Sequence, residues 1–328
     1  MVKNNNSWEP FEILRVLMTG VTGTIGSQLA DEMSRKGEEV HSLERYVTGR
    51  YSLDRSGNVR VVNGDLRDFS AIRHIVQEVQ PEIVVHLAAT SPVAYSYDHP
   101  HEVMETNLMG TINLAEACRT LVPHLKQFLF ASTSETYGNG PLPKTEKTIQ
   151  IPNSPYAVSK VAAERYLGYL RDAYEFPVTI LRPFNTYGRK TNKHFVVERM
   201  IVQMLSGNRV RLGDPSAVRD FLFIDDHVEA YLACINKPKA IGQTFNFCTG
   251  KRISIRELSK KLTVMTGFKG QVHWHQTPAR PLDIKRLVGS YDKAREVLGW
   301  RPEVDLDSGL ERTVDHWRGS LGARQSAM

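Results

Sequence analysis

Thr19-Gly20-Val21-Thr22-Gly23-Thr24-Ile25-Gly26 is the stretch that decides how this chain folds. Just before it, Ile13-Leu14-Arg15-Val16-Leu17-Met18 is an apolar run of strand length; just after it, residues 27–36 follow a helical pattern. The glycines are spaced G-x-x-G-x-x-G, one residue longer at the first gap than the common G-x-G-x-x-G form. Either spacing permits a tight turn, close backbone approach to a ligand, and a helix N-terminus aimed at an anion. Such a turn can be purely structural. The strand before it and the helix after it favour a dinucleotide pyrophosphate, held by Gly20, Thr22, Gly23, Thr24, Ile25 and Gly26.

Outward from this loop, apolar runs of strand length recur at 39–43, 59–62, 83–87, 128–131 and 178–181. Helical patterns lie between them, at 68–79, 101–121 and 155–174. Alternation of this kind predicts an α/β fold, a Rossmann-type doubly wound parallel sheet with helices on both faces. After Pro183 the pattern loosens, with helices expected at 195–206, 225–235, 255–266 and 291–298 and short strands at 210–212 and 244–247. A dinucleotide-binding domain over 11–182 and a smaller, mixed α/β substrate lobe over 183–320 follow, with some chain crossing between them. Residues 1–10 and 321–328 read as flexible tails.

Composition narrows the function classes. The 328 residues are 41% hydrophobic and 24% charged, ordinary for a soluble globular protein. No apolar run approaches the ~18 residues of a membrane span, and the first ten residues lack the apolar core of a signal peptide. A cytoplasmic protein without membrane contact is expected. Cys118, Cys234 and Cys248 are scattered without metal-ligand spacing, so they read as small buried hydrophobes and no metal is expected. The net charge of +6 is dispersed and no basic run is interleaved with aromatics; it suits small anionic ligands such as a nucleotide diphosphate equally well, and no nucleic-acid partner is expected.

Glu44 ends the second predicted strand, where a carboxylate can hydrogen-bond the adenosine ribose hydroxyls. That favours NAD, because a 2′-phosphate would meet like charge. Arg45 beside it offers such a phosphate a partner, so NADP stays open as the alternative. Asp65 and Leu66, after the third strand, are expected near the adenine edge, although Asn63-Gly64-Asp65 also reads as a plain turn.

Ser154-Pro155-Tyr156-Ala157-Val158-Ser159-Lys160 combines a helix N-cap, a proline at the first helical position, and a phenol and an ammonium one turn apart. An ammonium beside a phenol is expected to favour the phenolate, lowering its pKa from about 10. Such a Tyr can take a proton from a hydroxyl while hydride leaves the same carbon. Alone the pattern is weak; with the glycine loop it predicts a hydride-transfer site.

With both in place, the chain resembles the extended short-chain dehydrogenase/reductases that act on nucleotide sugars. The resemblance includes His86-Leu87-Ala88-Ala89, Asn107-x-x-Gly110-Thr111, Ser132-Thr133-Ser134-Glu135-Thr136-Tyr137-Gly138, Leu181-Arg182-Pro183-Phe184-Asn185, Arg219-Asp220-Phe221 and Leu298-Gly299-Trp300. It implies that Leu87, Ala88 and Ala89 line the cofactor, that Tyr156 is the base with Lys160 tuning it, and that Thr133 bonds the sugar's C4 oxygen. It implies further that Ser91, Asn185, Val196, Arg219 and Arg280 contact a nucleotide-sugar substrate. Relatives often dimerise through the helices at 101–121 and 155–174, so a homodimer is implied; Leu108, Leu114, Ala162 and Leu167 are compatible apolar residues, and a core-facing stripe explains them equally well.

Thr133-Ser134-Glu135 resembles the GDP-mannose 4,6-dehydratases and UDP-glucuronate decarboxylases, whereas 4-epimerases usually lack the carboxylate. Ser134 stands where the dTDP-glucose enzymes carry an Asp acid. The stretches from His194, Leu212 and Arg280 lean toward the GDP-sugar branch, while Glu44-Arg45 departs from the paired arginines that branch presents to NADP. The expectation is a 4,6-dehydratase with Glu135 removing the C5 proton. The alternatives are a 4-epimerase, a 4-keto reductase or a decarboxylase on the same fold; in a different class stands a non-catalytic dinucleotide sensor.

Overall fold

The computed structural model describes residues 13–45, 59–277 and 280–326. The expected tail at 1–10 and residues 327–328 lie outside them.

The first half runs β1 (Arg15–Thr19), α1 (Thr24–Arg35), β2 (Glu39–Glu44), β3 (Val59–Asn63), α2 (Phe69–Val79) and β4 (Ile83–His86). Then come α3 (Val93–Asp98), α4 (Pro100–Met104), α5 (Gly110–Leu121), β5 (Gln127–Ala131), α6 (Pro155–Tyr174) and β6 (Val178–Pro183). The second half continues with β7 (Asn185–Tyr187), α7 (Val196–Ser206), β8 (Arg209–Arg211), β9 (Val218–Arg219), β10 (Phe221–Phe223) and α8 (Ile224–Cys234). It ends with β11 (Thr244–Phe247), β12 (Ile253–Ser254), α9 (Ile255–Thr266), β13 (Gln271–His273), β14 (Arg286–Leu287), α10 (Asp292–Leu298) and α11 (Leu306–Ser326).

Seven strands form one sheet in the order β11-β6-β5-β4-β1-β2-β3, and every neighbour pair is parallel. Strands buried on both faces must be apolar throughout. In β1, Val16 and Met18 enter the core beneath α1 and α8, while Leu17 enters the opposite core beneath α2, α5 and α6. The registers Thr19↔Leu43, Thr19↔His86, His86↔Phe130 and Ala131↔Leu181 align the carboxyl ends along one edge. The strand order reverses between β1 and β4, which is where open α/β sheets bind ligands.

Local chemistry explains the helix starts. Asp68 caps α2 by accepting from Ala71 N at 3.0 Å, and Ser154 caps α6 by accepting from Ala157 N at 3.1 Å with Pro155 first in the helix. Ser254 and Glu257 form a capping box on α9.

Several expectations are corrected. The strand at 244–247, read as part of the second lobe, is β11 and completes the main sheet beside β6. Helix α8 likewise packs with α1 and β6, so the lobes interleave more than a boundary at 183 suggests. The helix expected over 101–121 contains a π-helical turn, Glu105–Met109, which turns Asn107 inward. Residues 321–326, read as tail, are the last turns of α11. The apolar spacing Leu306, Leu310, Val314, Trp317 marks that helix in the sequence.

Candidate active site

Gly20 has φ +76°, a left-handed conformation, and a Cβ there would lie 2.8 Å from Ala88 N. A Cβ on Gly26 would meet Gly20 O at 2.2 Å. The loop closes on itself through Gly23 N donating to Gly20 O at 3.0 Å. Helix α1 starts from Gly23 with no side-chain cap and no acidic residue in its first turn. Its free amides and positive dipole end are therefore open to an anion, and a dinucleotide pyrophosphate fits this cradle.

At the end of β2, the buried Glu44 carboxylate accepts from Thr22 N at 3.2 Å, Thr22 Oγ1 at 2.8 Å and Ser42 Oγ at 2.9 Å. It thus stands against the glycine loop, where an adenosine ribose belongs. Arg45 is exposed and pulls the Asp65 carboxyl down, but less than Arg67 does. Arg67 grips Asp65 with Nη2 at 2.6 Å and Nε at 3.0 Å, while Leu66 is buried. Asp65 is therefore a turn residue held by Arg67.

Behind Leu87, Ala88 and Ala89 runs a buried polar relay. Ala88 N donates to Thr19 Oγ1 at 3.0 Å, Thr19 Oγ1 meets His86 Nδ1 at 2.8 Å, and His86 Nε2 meets Thr111 Oγ1 at 2.9 Å. Thr111 spends its proton on Asn107 O at 2.6 Å, so His86 must donate from Nε2 and accept at Nδ1. Burial, reinforced by the Lys160 charge, lowers the His86 pKa to about 3 and keeps the ring neutral. Asn107 then bridges Thr90 N at 2.8 Å and Ser159 Oγ at 3.1 Å, tying the β4 loop to α6.

Helix α6 brings Tyr156 and Lys160 beneath Thr133, which ends the β5 loop and caps a short 3-10 turn, Ser134–Tyr137. Ser134 is buried in that turn. Burial pushes the Tyr156 phenol well up, a hydrogen bond with Thr133 pulls it down, and the Glu135 charge pushes it up again. The expected lowering by Lys160 is absent. Lys160 is itself only 2% exposed, donates to Ala131 O at 2.7 Å and lies 4.6 Å from the Phe130 ring centroid. Burial draws its pKa down to about 7, against the opposing pull of Glu164.

The second lobe closes the other side. Burial pushes Glu135 up, and the Arg219 and Arg280 charges pull it back, with Asp283 opposing them. Among the described residues the Glu135 carboxyl makes no hydrogen bond or ion pair. Arg219, 8% exposed, lies 3.8 Å from Asp283, and Arg280 lies 3.7 Å from it. Asp220 anchors this strand by accepting from Thr249 N, Gly250 N and Gly289 N. Asn185 N donates to Asp220 O at 3.2 Å. Val196 opens α7 and packs on the second-lobe core, and Ser91 is exposed in the loop before α3.

Three site residues escaped the sequence reading. Tyr97 feels Arg280, Asp283 and Glu135. Asp283 faces both Arg219 and Arg280. Arg199 in α7 has a buried Nε without a partner, and burial and nearby Arg280 lower its pKa. A cation in the first turn of a helix opposes the dipole and could have flagged it.

This arrangement has known counterparts. The family model described as GDP-mannose 4,6 dehydratase matches residues 17–313. A UDP-glucose 4-epimerase of Mycolicibacterium smegmatis is 35% identical, over 93% of this chain and 99% of that protein. A GDP-mannose 4,6-dehydratase of Sordaria araneosa is 30% identical, over 90% of this chain and 60% of that protein. The crystal structure of a Thermus thermophilus UDP-glucose 4-epimerase in complex with NAD superposes with a TM-score of 0.85 at 33% identity, covering 94% of this chain and 100% of that one.

Proposed function

This chain belongs to the GDP-mannose 4,6-dehydratase family of nucleotide-sugar epimerases and dehydratases, and on that premise we propose an NAD-dependent 4,6-dehydratase, with GDP-hexoses as the first substrates to test. The observation that carries the dehydratase step is Glu135. Its half-buried carboxyl has no hydrogen-bond partner among the described residues and faces Arg219 and Arg280, so it is free to act on a bound ligand. Its raised pKa suits a group that takes and returns a proton.

NAD, when bound, accepts and returns a hydride. The residues of the chain do the rest. Gly20, Gly26 and the α1 amides hold the pyrophosphate, and Glu44 holds the ribose, which favours NAD over NADP. Thr133 donates to the sugar's C4 oxygen while Tyr156, in its ionised form, takes the hydroxyl proton; Lys160, one turn on, favours that form only to the extent that it keeps its charge against burial. The C4 carbonyl acidifies C5; Glu135 takes that proton and passes it to the C6 hydroxyl, which leaves as water, and the product is completed when C6 receives the hydride and C5 regains a proton. Arg199, Arg219 and Arg280 bind the diphosphate, where guanidinium forks match phosphate oxygens.

A 4-epimerase is the second reading, favoured by the UDP-glucose 4-epimerase relative. Incubation with GDP-mannose and UDP-glucose, read by mass spectrometry and NMR, separates the two. A 4-keto-6-deoxy product supports dehydration; a C4 epimer without loss of water rejects it. Glu135→Gln should abolish solvent deuterium incorporation at C5, and undiminished exchange removes Glu135 as the base.

A further inference from the structure

Segment 280–283 carries Arg280 and Asp283 across the site, yet it is not held there by apolar packing. Pro281, Leu282 and Asp283 are exposed, Leu282 by 62%, and the chain rejoins the core only at Ile284. Its hold is polar and comes from the catalytic lobe. Asn153 Nδ2 donates to Leu282 O at 2.9 Å. Tyr97 Oη donates to Asn153 O at 2.9 Å and lies 3.3 Å from Leu282 O. One residue on, Asn139 Nδ2 donates to Asp283 O at 2.9 Å, and Asn139 Oδ1 accepts from Lys285 N at 3.0 Å.

The origins of these donors are informative. Asn139 follows the 3-10 turn that carries Glu135, and Asn153 directly precedes Ser154, the cap of the helix that carries Tyr156. The Asn153 Oδ1 is buried without a partner, so the amide is committed to its Nδ2 donation at the expense of its acceptor.

We infer that Tyr97, Asn139 and Asn153 are positioning residues that latch segment 280–283 over the site and hold Arg280 and Asp283 in register with Glu135 and Tyr156. The inference rests on the reading of Arg219 and Arg280 as diphosphate ligands. Because the latch consists of hydrogen bonds to backbone carbonyls at a solvent-facing rim, it opens without disturbing the core. The substrate diphosphate, bridging Arg280 to the body of the site, favours the closed form.

The test uses NAD-loaded protein with UDP and GDP as calorimetric probes. The double variant Tyr97→Phe/Asn153→Ala should bind the tighter nucleotide about five- to twentyfold more weakly than wild type, with unchanged NAD content and melting temperature. Segment 280–285 should become cleavable by protease without nucleotide. Arg280→Ala should cost less affinity in this double variant than in wild type, a coupling that general loosening of the fold does not produce. Wild-type affinity in the double variant, with Arg280→Ala alone weakening binding about tenfold or more, overturns the latch. If neither Arg280→Ala nor Arg219→Ala weakens binding, the diphosphate reading itself falls.

Discussion

Tyr156 and Lys160 are one turn apart on α6, yet burial governs both. It drives the phenol away from ionisation and the ammonium toward neutrality, so neither is pre-charged by the other. Removing only the phenolic oxygen should therefore isolate its role. Tyr156→Phe is expected to lower turnover by about 10²- to 10⁴-fold with NAD content unchanged, read by steady-state kinetics and cofactor extraction. His86 offers a test by pH. Its folded pKa of about 3 lies below the unfolded value, so the unfolded chain binds a proton that the fold refuses. The stabilising contribution is complete above the unfolded pKa and is lost as pH falls from about 6.5 toward 3. From pH 7 to pH 5, wild type should lose about 2 kcal/mol more than His86→Asn in urea unfolding. Parallel losses in the two proteins reject a neutral buried imidazole.

Elements join at their ends, and the glycine loop shows how little room those joints leave. Gly26 lies inside α1, where Ala is ordinarily the better residue, but its Cβ would meet the Gly20 carbonyl at 2.2 Å. Gly26→Ala should therefore destabilise by about 1–3 kcal/mol and weaken NAD binding about tenfold or more, measured by thermal unfolding and cofactor titration. A neutral or stabilising effect would mean that the loop relaxes freely. The π-helical turn at Glu105–Met109 is a second joint. It lets Asn107 reach both Thr90 and Ser159, which a regular helix through 101–121 does not provide for.

Across the molecule, a buried network binds five segments beneath the site. Glu164 of α6 accepts from Arg182 of β6 and Ser132, and from Gln150 Nε2 at 2.7 Å. Arg182 Nη1 donates to Tyr137 Oη at 2.9 Å, which in turn donates to Asn246 of β11 at 2.6 Å. Arg182→Met would leave a buried carboxylate unpaired and should cost about 3–5 kcal/mol, seen as a lower denaturant midpoint. The expected dimer face is also redrawn. Leu114 and Leu167 turn into the core, whereas Val158, Tyr169 and Tyr174 are the exposed large apolar residues of α6. Among the described residues, no helix is long and apolar enough to cross a membrane.

Signals that act within a few residues were readable from the chain alone. The glycine spacing, the Ser154-Pro155 helix start, the Tyr156/Lys160 turn and the apolar runs of β1, β4, β5 and β6 all express local sterics and periodicity. Ordered motifs also pointed to Thr133, Glu135, Arg219 and Arg280, by resemblance. What faces what needed the folded chain. Placing β11 beside β6, gathering Tyr97 and Asp283 near Glu135 and Arg199 near Arg280, and turning the Tyr156 pKa upward all depend on residues tens to hundreds of positions apart. The reason is physical: a helix cap or a glycine turn is settled by its neighbours, whereas desolvation and charge pairing exist only once distant segments exclude water together.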